Sequence, residues 1–162
     1  NSKKSQEIFD EETKQKIIPR VIEPTWGLGR VFLTIIMDGY DDNKERGNIV
    51  LHLHPKLAPY KVGVFPLVNK EALPDIAKAL HASLKAAGLM SYHDKSGSVG
   101  RRYARADEIG IPYCMTIDFE SLEDKSATIR DRDSTQQKRI KIKDAPDIIA
   151  DLMNGRKDFN SL

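Results

Sequence analysis

A nearly continuous apolar run at residues 60–68, YKVGVFPLV, limits the possible folds more than any other stretch of the sequence. A strand covered on both faces has this pattern, because neither face needs alternating polar residues. An apolar stripe with helical spacing follows over residues 73–87, and Gly88 is placed to end that helix. A strand followed directly by an amphipathic helix predicts a layered α/β fold.

The rest of the sequence supports the same architecture. We predict further strands at residues 49–54, 89–94, 111–119, 127–133 and 138–143. A glycine-rich turn enters a short helix over residues 96–110, and Asp144 and Pro146 open a last amphipathic helix that Gly155 closes. From residue 60 onward the order is strand, helix, strand, helix, three strands and helix, which is an α/β sandwich.

The N-terminal quarter of the chain has a different character. Residues 1–18 are polar and are interpreted as loop, whereas residues 20–25 read as a short buried strand ended by Pro24. The segment GLGRVFLTIIMDGY that follows is predicted to be a helix, apolar nearly all round and therefore buried against something large. The polar stretch at residues 41–48 is predicted to be a linker, which divides the chain into domains at 1–44 and 45–162.

Composition excludes several classes of protein. The formal charge is +2, so affinity for nucleic acid has to come from local patches. A single cysteine, Cys114, rules out an internal disulfide framework and reads as a small core residue. His52 and His54 share one strand face, but two imidazoles do not make a zinc site, so no metal site is predicted. No apolar run reaches the length of a membrane span, and the first twenty residues have no signal-peptide pattern, so we expect a soluble intracellular protein.

The decapeptide VIEPTWGLGR at residues 21–30 places a carboxylate and a guanidinium on either side of a glycine turn. Glu23 in an apolar strand needs a cation or hydrogen-bond donors, which the ammonium group of a small ligand would supply. Gly27 and Gly29 allow close backbone approach, and Arg30 at a helix start suits phosphate or a stacked base. A structural Glu–Arg pair at a strand-to-helix turn would produce the same sequence.

Basic residues cluster at two places in the second half of the chain. Residues 127–143 hold six Lys/Arg and two Asp, a local balance of +4, and three arginines follow the glycine-rich turn at residues 101, 102 and 105. Tyr103 and Phe119 offer stacking surfaces for unpaired bases. Asp118, Asp131 and Asp133 suit the amino group of cytosine. A solvated edge strand with Arg–Asp cross-strand pairs is the alternative interpretation.

Taken together, the segments named above carry a resemblance to a known family. VIEPTWGLGR resembles motif 3 of a class II aminoacyl-tRNA synthetase and is similar to that of glycyl-tRNA synthetases of the eukaryotic and archaeal kind. The similarity continues, in order, through LAPYKVGVFPL, SGSVGRRYARADEIGIPYCMTIDF and ATIRDRDSTQQKRI, and it includes FDEETKQKIIPR upstream. Motifs 1 and 2 of the class are not found, so the other walls of the catalytic site would lie outside this chain.

The resemblance implies a fold and an activity. The expected fold is α/β, a mixed five-stranded sheet with flanking helices of the class IIa anticodon-binding type, preceded by the last strand and helix of a catalytic domain. Glu23, Pro24 and Thr25 match the glycine-recognition element, although the family usually has Ser where Thr25 stands, and Arg30 matches the arginine that contacts ATP. The implied chemistry is Mg²⁺-assisted activation of glycine with ATP, by a cytoplasmic or mitochondrial dimer; this segment alone is expected to be inactive.

The same resemblance implies contact with glycine tRNA, whose anticodon has cytosines at its last two positions. The implied contact residues are Arg101, Arg102, Arg105, Asp118, Phe119, Arg130, Asp131, Arg132 and Lys141. Within that set, Arg101, Arg102, Arg105 and Lys141 are expected to hold phosphate, and the residues near Asp118 and Asp131 to read bases. A non-catalytic nucleic-acid-binding relative, such as the accessory subunit of a mitochondrial DNA polymerase, is the alternative function.

Overall fold

The computed structural model describes residues 3–162, which divide into two compact units between Phe32 and Leu33, inside one helix. The first unit contains an antiparallel hairpin of β1 (Ile8–Asp10) and β2 (Gln15–Ile17). The Asp10 carboxylate closes its turn by accepting hydrogen bonds from the Glu12 backbone N–H at 3.1 Å and the Thr13 hydroxyl at 2.6 Å. The interpretation of residues 1–18 as loop is therefore wrong for the hairpin, and residues 1–2 lie outside the described part.

The strand predicted at residues 20–25 does not form. Residues 18–27 have no regular secondary structure, and Ile22 is 92% exposed. A strand exists only by pairing with a neighbour, and none of the described strands pairs with this segment. The helix predicted after it is confirmed as α1 (Leu28–Gly39), whose first turn closes when the backbone N–H groups of Arg30 and Val31 donate to the carbonyl of Gly27. The burial expected for this helix is wrong for this chain, since Leu28, Phe32 and Met37 are 84%, 65% and 68% exposed.

The predicted linker at residues 41–48 is a second hairpin. Strands β3 (Tyr40–Asn43) and β4 (Asn48–Leu51) pair antiparallel, separately from the main sheet. The Asn43 side chain accepts from the Arg46 backbone N–H at 2.9 Å, and Gly47 takes a φ of +69° that favours glycine. The sequence pattern predicted a linker here because the polar residues and glycine that form turns are found both in linkers and in the turns of hairpins. The division into domains at residue 44 stays a prediction.

The main sheet has five strands in the spatial order β6-β5-β7-β8-β9. These are β5 (Val62–Pro66), β6 (Ser91–His93), β7 (Tyr113–Ile117), β8 (Ser126–Asp131) and β9 (Gln137–Lys141). Strand β5 runs parallel to β6 and β7, whereas β7–β8 and β8–β9 are antiparallel. The predicted mixed five-stranded sheet is confirmed, and every residue of β5, the central part of the apolar run that predicted it, is buried.

Helices flank the sheet, and all of them except the short helix over Glu120–Asp124 are expected from the pattern. They are α2 (Leu73–Ala86), α3 (Val99–Glu108), the short α4 (Glu120–Asp124) and α5 (Ala145–Met153), and 3-10 turns occupy Ile142–Asp144 and Phe159–Ser161. The larger core lies between one sheet face and α2 and α5, and it includes Val64, Leu80, Met115, Ile129 and Ile149. Because side chains alternate between the two faces of a sheet, the strand residues between these core positions point to the opposite face.

The opposite face of the sheet is covered over only part of its width. Beneath α3, a smaller cluster joins Phe65, Ala106, Ile111 and Cys114. Gly63 makes this packing possible, because a Cβ there would lie 2.7 Å from the ring of Phe65. Toward β8 and β9 this face becomes polar. The register brings together the residues that we call the polar face, namely Thr116, Thr128, Arg130, Gln137 and Arg139.

Candidate nucleic-acid interface

Two cavities open on the polar face and share one residue of α3. The first, of about 250 Å³, is lined by Leu67, Val99, Tyr103, Thr116, Asp118, Thr128 and Gln137. The second, of about 350 Å³, runs from Tyr103 and Arg130 toward the β3–β4 hairpin at Arg46 and Asn48. Both combine an aromatic ring with hydroxyl, amide or charged groups, which is the chemistry that recognises unpaired bases.

A buried ion pair forms the floor of this region. The guanidinium of Arg130 donates to both carboxylate oxygens of Asp107, at 2.8 and 3.0 Å, and lies 5.0 Å from the centre of the Tyr103 ring. Burial disfavours the charged form of Arg130, but the bonds to Asp107 outweigh that cost and raise its pKa. The Tyr103 hydroxyl lies 2.6 Å from Thr116 Oγ1, so the ring is held at its hydroxyl by Thr116 and over its face by Arg130. Arg130 therefore fixes Tyr103 in place, and its own guanidinium is already paired.

A second network lies at the other end of the polar face. Arg139 donates to both oxygens of Asp118, at 2.8 and 3.0 Å, and to both oxygens of Asp124, at 2.7 and 3.1 Å. Hydrogen bonds from Arg139 lower the pKa of Asp118 and hold that of Asp124 at about 2. Asp118 also accepts from the backbone N–H and the hydroxyl of Ser121 at the start of α4. The predicted cytosine acceptor Asp118 is thus occupied by internal donors.

The turn between β8 and β9 uses its predicted contact residues internally. The Asp131 carboxylate accepts from the Ser134 backbone N–H at 2.8 Å and hydroxyl at 2.6 Å. Arg132 is 2% exposed and donates to the carbonyls of Gly110 and Leu53, each at 3.0 Å, and to the Asp133 carboxylate. Contact with RNA through Arg132 does not fit this placement, because its guanidinium is enclosed by protein acceptors.

The three arginines of α3 separate into different environments. Arg101 is exposed, whereas Arg102 is 2% exposed and donates to the carbonyls of Pro66, Lys95, Ser96 and Gly97. Arg105 is bound to Asp94 through its Nε at 2.9 Å. The geometry does not support a phosphate contact by Arg102, since its guanidinium N–H groups are already bonded to carbonyls of β5 and of the turn before α3. Helical spacing could not reveal this, because the acceptors come from the loop and from β5.

Two of the predicted contact residues are accessible next to these networks. Phe119 is 46% exposed and directly follows Asp118, which lines the first cavity. Lys141 is exposed at the end of β9, where its ammonium group donates to the Asp124 carbonyl at 2.8 Å. Sequence analysis missed Thr116, Thr128, Gln137 and the anchoring Asp107. The alternation of side chains along β8 and β9 was the available signal for Thr128 and Gln137.

The predicted glycine and ATP residues lie in the first unit. Glu23, Pro24 and Thr25 are exposed in the segment without regular structure, and Arg30 lies in the first turn of α1. Glu23 is exposed in this chain because the strand predicted around it does not form. Their roles stay predictions.

Neither a metal-binding cluster of side chains nor a bilayer-spanning helix occurs among residues 3–162. His52 lies 2.7 Å from Asp133 and 3.4 Å from Asp41, but no group of three or more His, Cys, Asp or Glu residues there is arranged to hold a metal ion. Burial raises the pKa of the Cys114 thiol to about 12, as expected for a core cysteine. None of the described helices combines the length and apolar character needed to cross a bilayer.

An open polar face with stacking surfaces, on a mixed sheet packed by helices, is suited to single-stranded nucleic acid. Residues 61–152 match the family model described as "Anticodon binding domain", and the chain belongs to this family. It is 52% identical to the glycine–tRNA ligase of Malacoplasma penetrans over 146 residues, which is 88% of this chain and 31% of that protein. Over 164 residues it is 44% identical to the glycine–tRNA ligase of Borreliella burgdorferi, covering 99% of this chain and 37% of that protein.

The similarity extends to archaeal relatives. The glycine–tRNA ligase of Methanothrix thermoacetophila is 40% identical over 157 residues, which is 96% of this chain and 27% of that protein. The chain thus spans about a third of the length of the curated relatives it matches. The predicted resemblance to glycyl-tRNA synthetases is confirmed at the level of these relatives.

Arg102 provides a test of the division between scaffold and surface arginines. We expect Arg102→Ala to lower the free energy of unfolding by roughly 2–4 kcal/mol, because it leaves several carbonyls without donors. Its neighbour Arg101 is the matched control, and Arg101→Ala should change stability by no more than about 0.5 kcal/mol. Urea unfolding followed by circular dichroism measures both. Equal stability of the two variants would contradict the scaffold role.

The Arg139 network predicts a specific pH dependence. Because Arg139 depresses the pKa values of Asp118 and Asp124, its contribution to stability is complete above the ordinary carboxyl pKa of 3.8 and is lost as pH falls toward about 2. In Arg139→Met both carboxyl pKa values should rise toward 3.8, as followed by carboxyl ¹³C NMR titration. Arg156→Met, which removes a partner of Asp151, should leave Asp118 and Asp124 unchanged. Titration of Asp124 near 2 in the Arg139 variant would disprove the assignment.

Proposed function

We propose that the polar face binds the anticodon of a tRNA and that its two cavities receive unpaired bases. The observation that carries this proposal is the arrangement around Tyr103, where an aromatic ring, two threonine hydroxyls and the Gln137 amide surround one opening. Membership of the anticodon-binding family supports it. Bases turned out of an RNA loop are typically stacked on aromatic side chains and hydrogen-bonded on their edges.

The contacts divide into three roles. Base contacts fall to Phe119, Thr128 and Gln137, since these are accessible and the Gln137 carbonyl suits the amino group of cytosine. Phosphate contacts fall to Arg101 and Lys141, which are exposed at the margins. The remaining charged residues of the predicted set, namely Arg102, Arg105, Asp118, Arg130, Asp131 and Arg132, position the loops and strands around the cavities.

We also propose that the whole protein is a glycine–tRNA ligase that activates glycine with ATP and charges glycine tRNA. The names of the relatives support this activity, and so does the match of VIEPTWGLGR to the motif 3 pattern. In that enzyme Glu23, Pro24 and Thr25 would contact glycine, and Arg30 would contact ATP. The proposal includes Mg²⁺ held mainly by residues outside this chain, a homodimer and a cytoplasmic location.

Binding of an anticodon stem-loop with the glycine tRNA sequence tests the RNA roles. Phe119→Ala should weaken binding by about 1–3 kcal/mol through lost stacking. Gln137→Leu should reduce discrimination against a changed second or third anticodon base by roughly 1–3 kcal/mol. Arg101→Ala should instead weaken every stem-loop alike and reduce the salt slope by about one. Fluorescence anisotropy at several salt concentrations measures all three.

The control for this experiment is Lys78→Ala, a change at an exposed lysine of α2. It alters net charge as Arg101→Ala does and should leave affinity and discrimination intact. If Phe119→Ala and Gln137→Leu have no effect beyond that of Lys78→Ala, the polar face does not bind the anticodon.

The glycine site is tested in the full-length protein that carries this chain. Glu23→Gln should raise the KM for glycine far more than that for ATP, because it removes the charge that faces the ammonium group. Arg30→Ala should mainly lower adenylate formation. A lost charge-assisted contact costs on the order of 1.5–3 kcal/mol. Pyrophosphate exchange that tolerates both substitutions would refute both roles.

A further inference from the structure

A groove with no part in the polar face lies at the end of the main sheet. It has a volume of about 570 Å³ and is bounded by the first turn of α2, by α4 and by the residues that follow β9. Ile76 and Ile142 supply its apolar side chains, and both are only partly buried against the core. Lys125, Lys141 and Lys143 stand around it, and their aliphatic stems add to the apolar lining.

The side chains that line this groove carry a net positive charge. Lys125 donates to the Leu122 carbonyl and Lys141 to the Asp124 carbonyl, each at 2.8 Å, which holds both ammonium groups at the end of α4. An ammonium group has three donors, so each lysine keeps capacity for a ligand beyond that bond. The one carboxylate in the lining, Asp124, is bound by Arg139 at 2.7 Å and is neutralised there.

We propose that this groove binds an acidic peptide segment of a partner protein, with aliphatic side chains against Ile76 and Ile142. The isoleucines match aliphatic side chains in shape and polarity, and Lys125 and Lys143 match carboxylates on either side of them. The lining contains no aromatic ring on which a base would stack, whereas Tyr103 and Phe119 offer such surfaces at the polar face. The observations therefore favour a protein over an RNA ligand.

The probe for this site is a short fluorescein-labelled peptide in which aspartate and leucine alternate. We expect saturable binding, with methyl NMR shifts concentrated at Ile76 and Ile142. The double variant Lys125→Glu/Lys143→Glu should weaken binding by at least about tenfold, since two attractions become repulsions. Both lysines are exposed, and urea unfolding checks that the variant keeps its stability.

The three controls are a lysine variant away from the groove, a peptide without apolar side chains, and competition by oligouridylate. Lys85→Glu, at the opposite end of α2, should leave peptide affinity unchanged although it lowers the net charge. A peptide with serine in place of leucine should bind at least about tenfold more weakly, because the apolar contacts are lost. Equal binding of the serine peptide, equal weakening by Lys85→Glu, displacement by oligouridylate as effective as by unlabelled peptide, or methyl shifts elsewhere would each overturn the proposal.

Discussion

The buried ion pair between Arg130 and Asp107 is the interaction on which the rest of the polar face depends. It joins the end of β8 to the end of α3, and the guanidinium lies over the face of the Tyr103 ring. Removing one partner of such a pair costs about 3–5 kcal/mol, because the other charge is left buried and unpaired. The β3–β4 hairpin joins the same centre, since Arg46 donates to the Arg132 carbonyl at 2.7 Å and lies 3.9 Å from Asp107.

Arginine has two separate uses in this protein. Arg102, Arg130 and Arg132 are nearly inaccessible, and their planar guanidinium groups bridge loops and strands that would otherwise leave carbonyls or carboxylates unpaired. Arg101 and Lys141 keep their charge at the surface, where it can meet a phosphate. The total charge of the chain is nearly balanced, so these exposed cations form only a small positive margin around the polar face. Such a margin favours close contact with phosphate over long-range attraction of RNA.

The two candidate binding surfaces differ in the side chains that line them. The polar face combines aromatic, hydroxyl and amide groups, whereas the groove beyond α4 combines isoleucines and lysines. Both surfaces are organised by Arg139, which fixes Asp118 on one side and Asp124 on the other. Because Arg139 occupies the Asp118 carboxylate, that group does not bind a base. Because Arg139 also neutralises Asp124, that carboxylate does not offset the positive charge of the lysines.

Local pattern determined the strands of the main sheet, the helices α2, α3 and α5 and their order, because burial on one or both faces gives each element a characteristic spacing of apolar residues. The run at residues 60–68 predicted β5, and helical spacing predicted α2. Motif order also pointed to the family. Tertiary structure alone decided that residues 20–25 stay unpaired, that residues 41–48 form a hairpin, and that Arg102 faces carbonyls while Arg101 faces solvent. These outcomes depend on which groups meet in three dimensions, and the identity of a partner leaves no periodic trace in the residue that meets it.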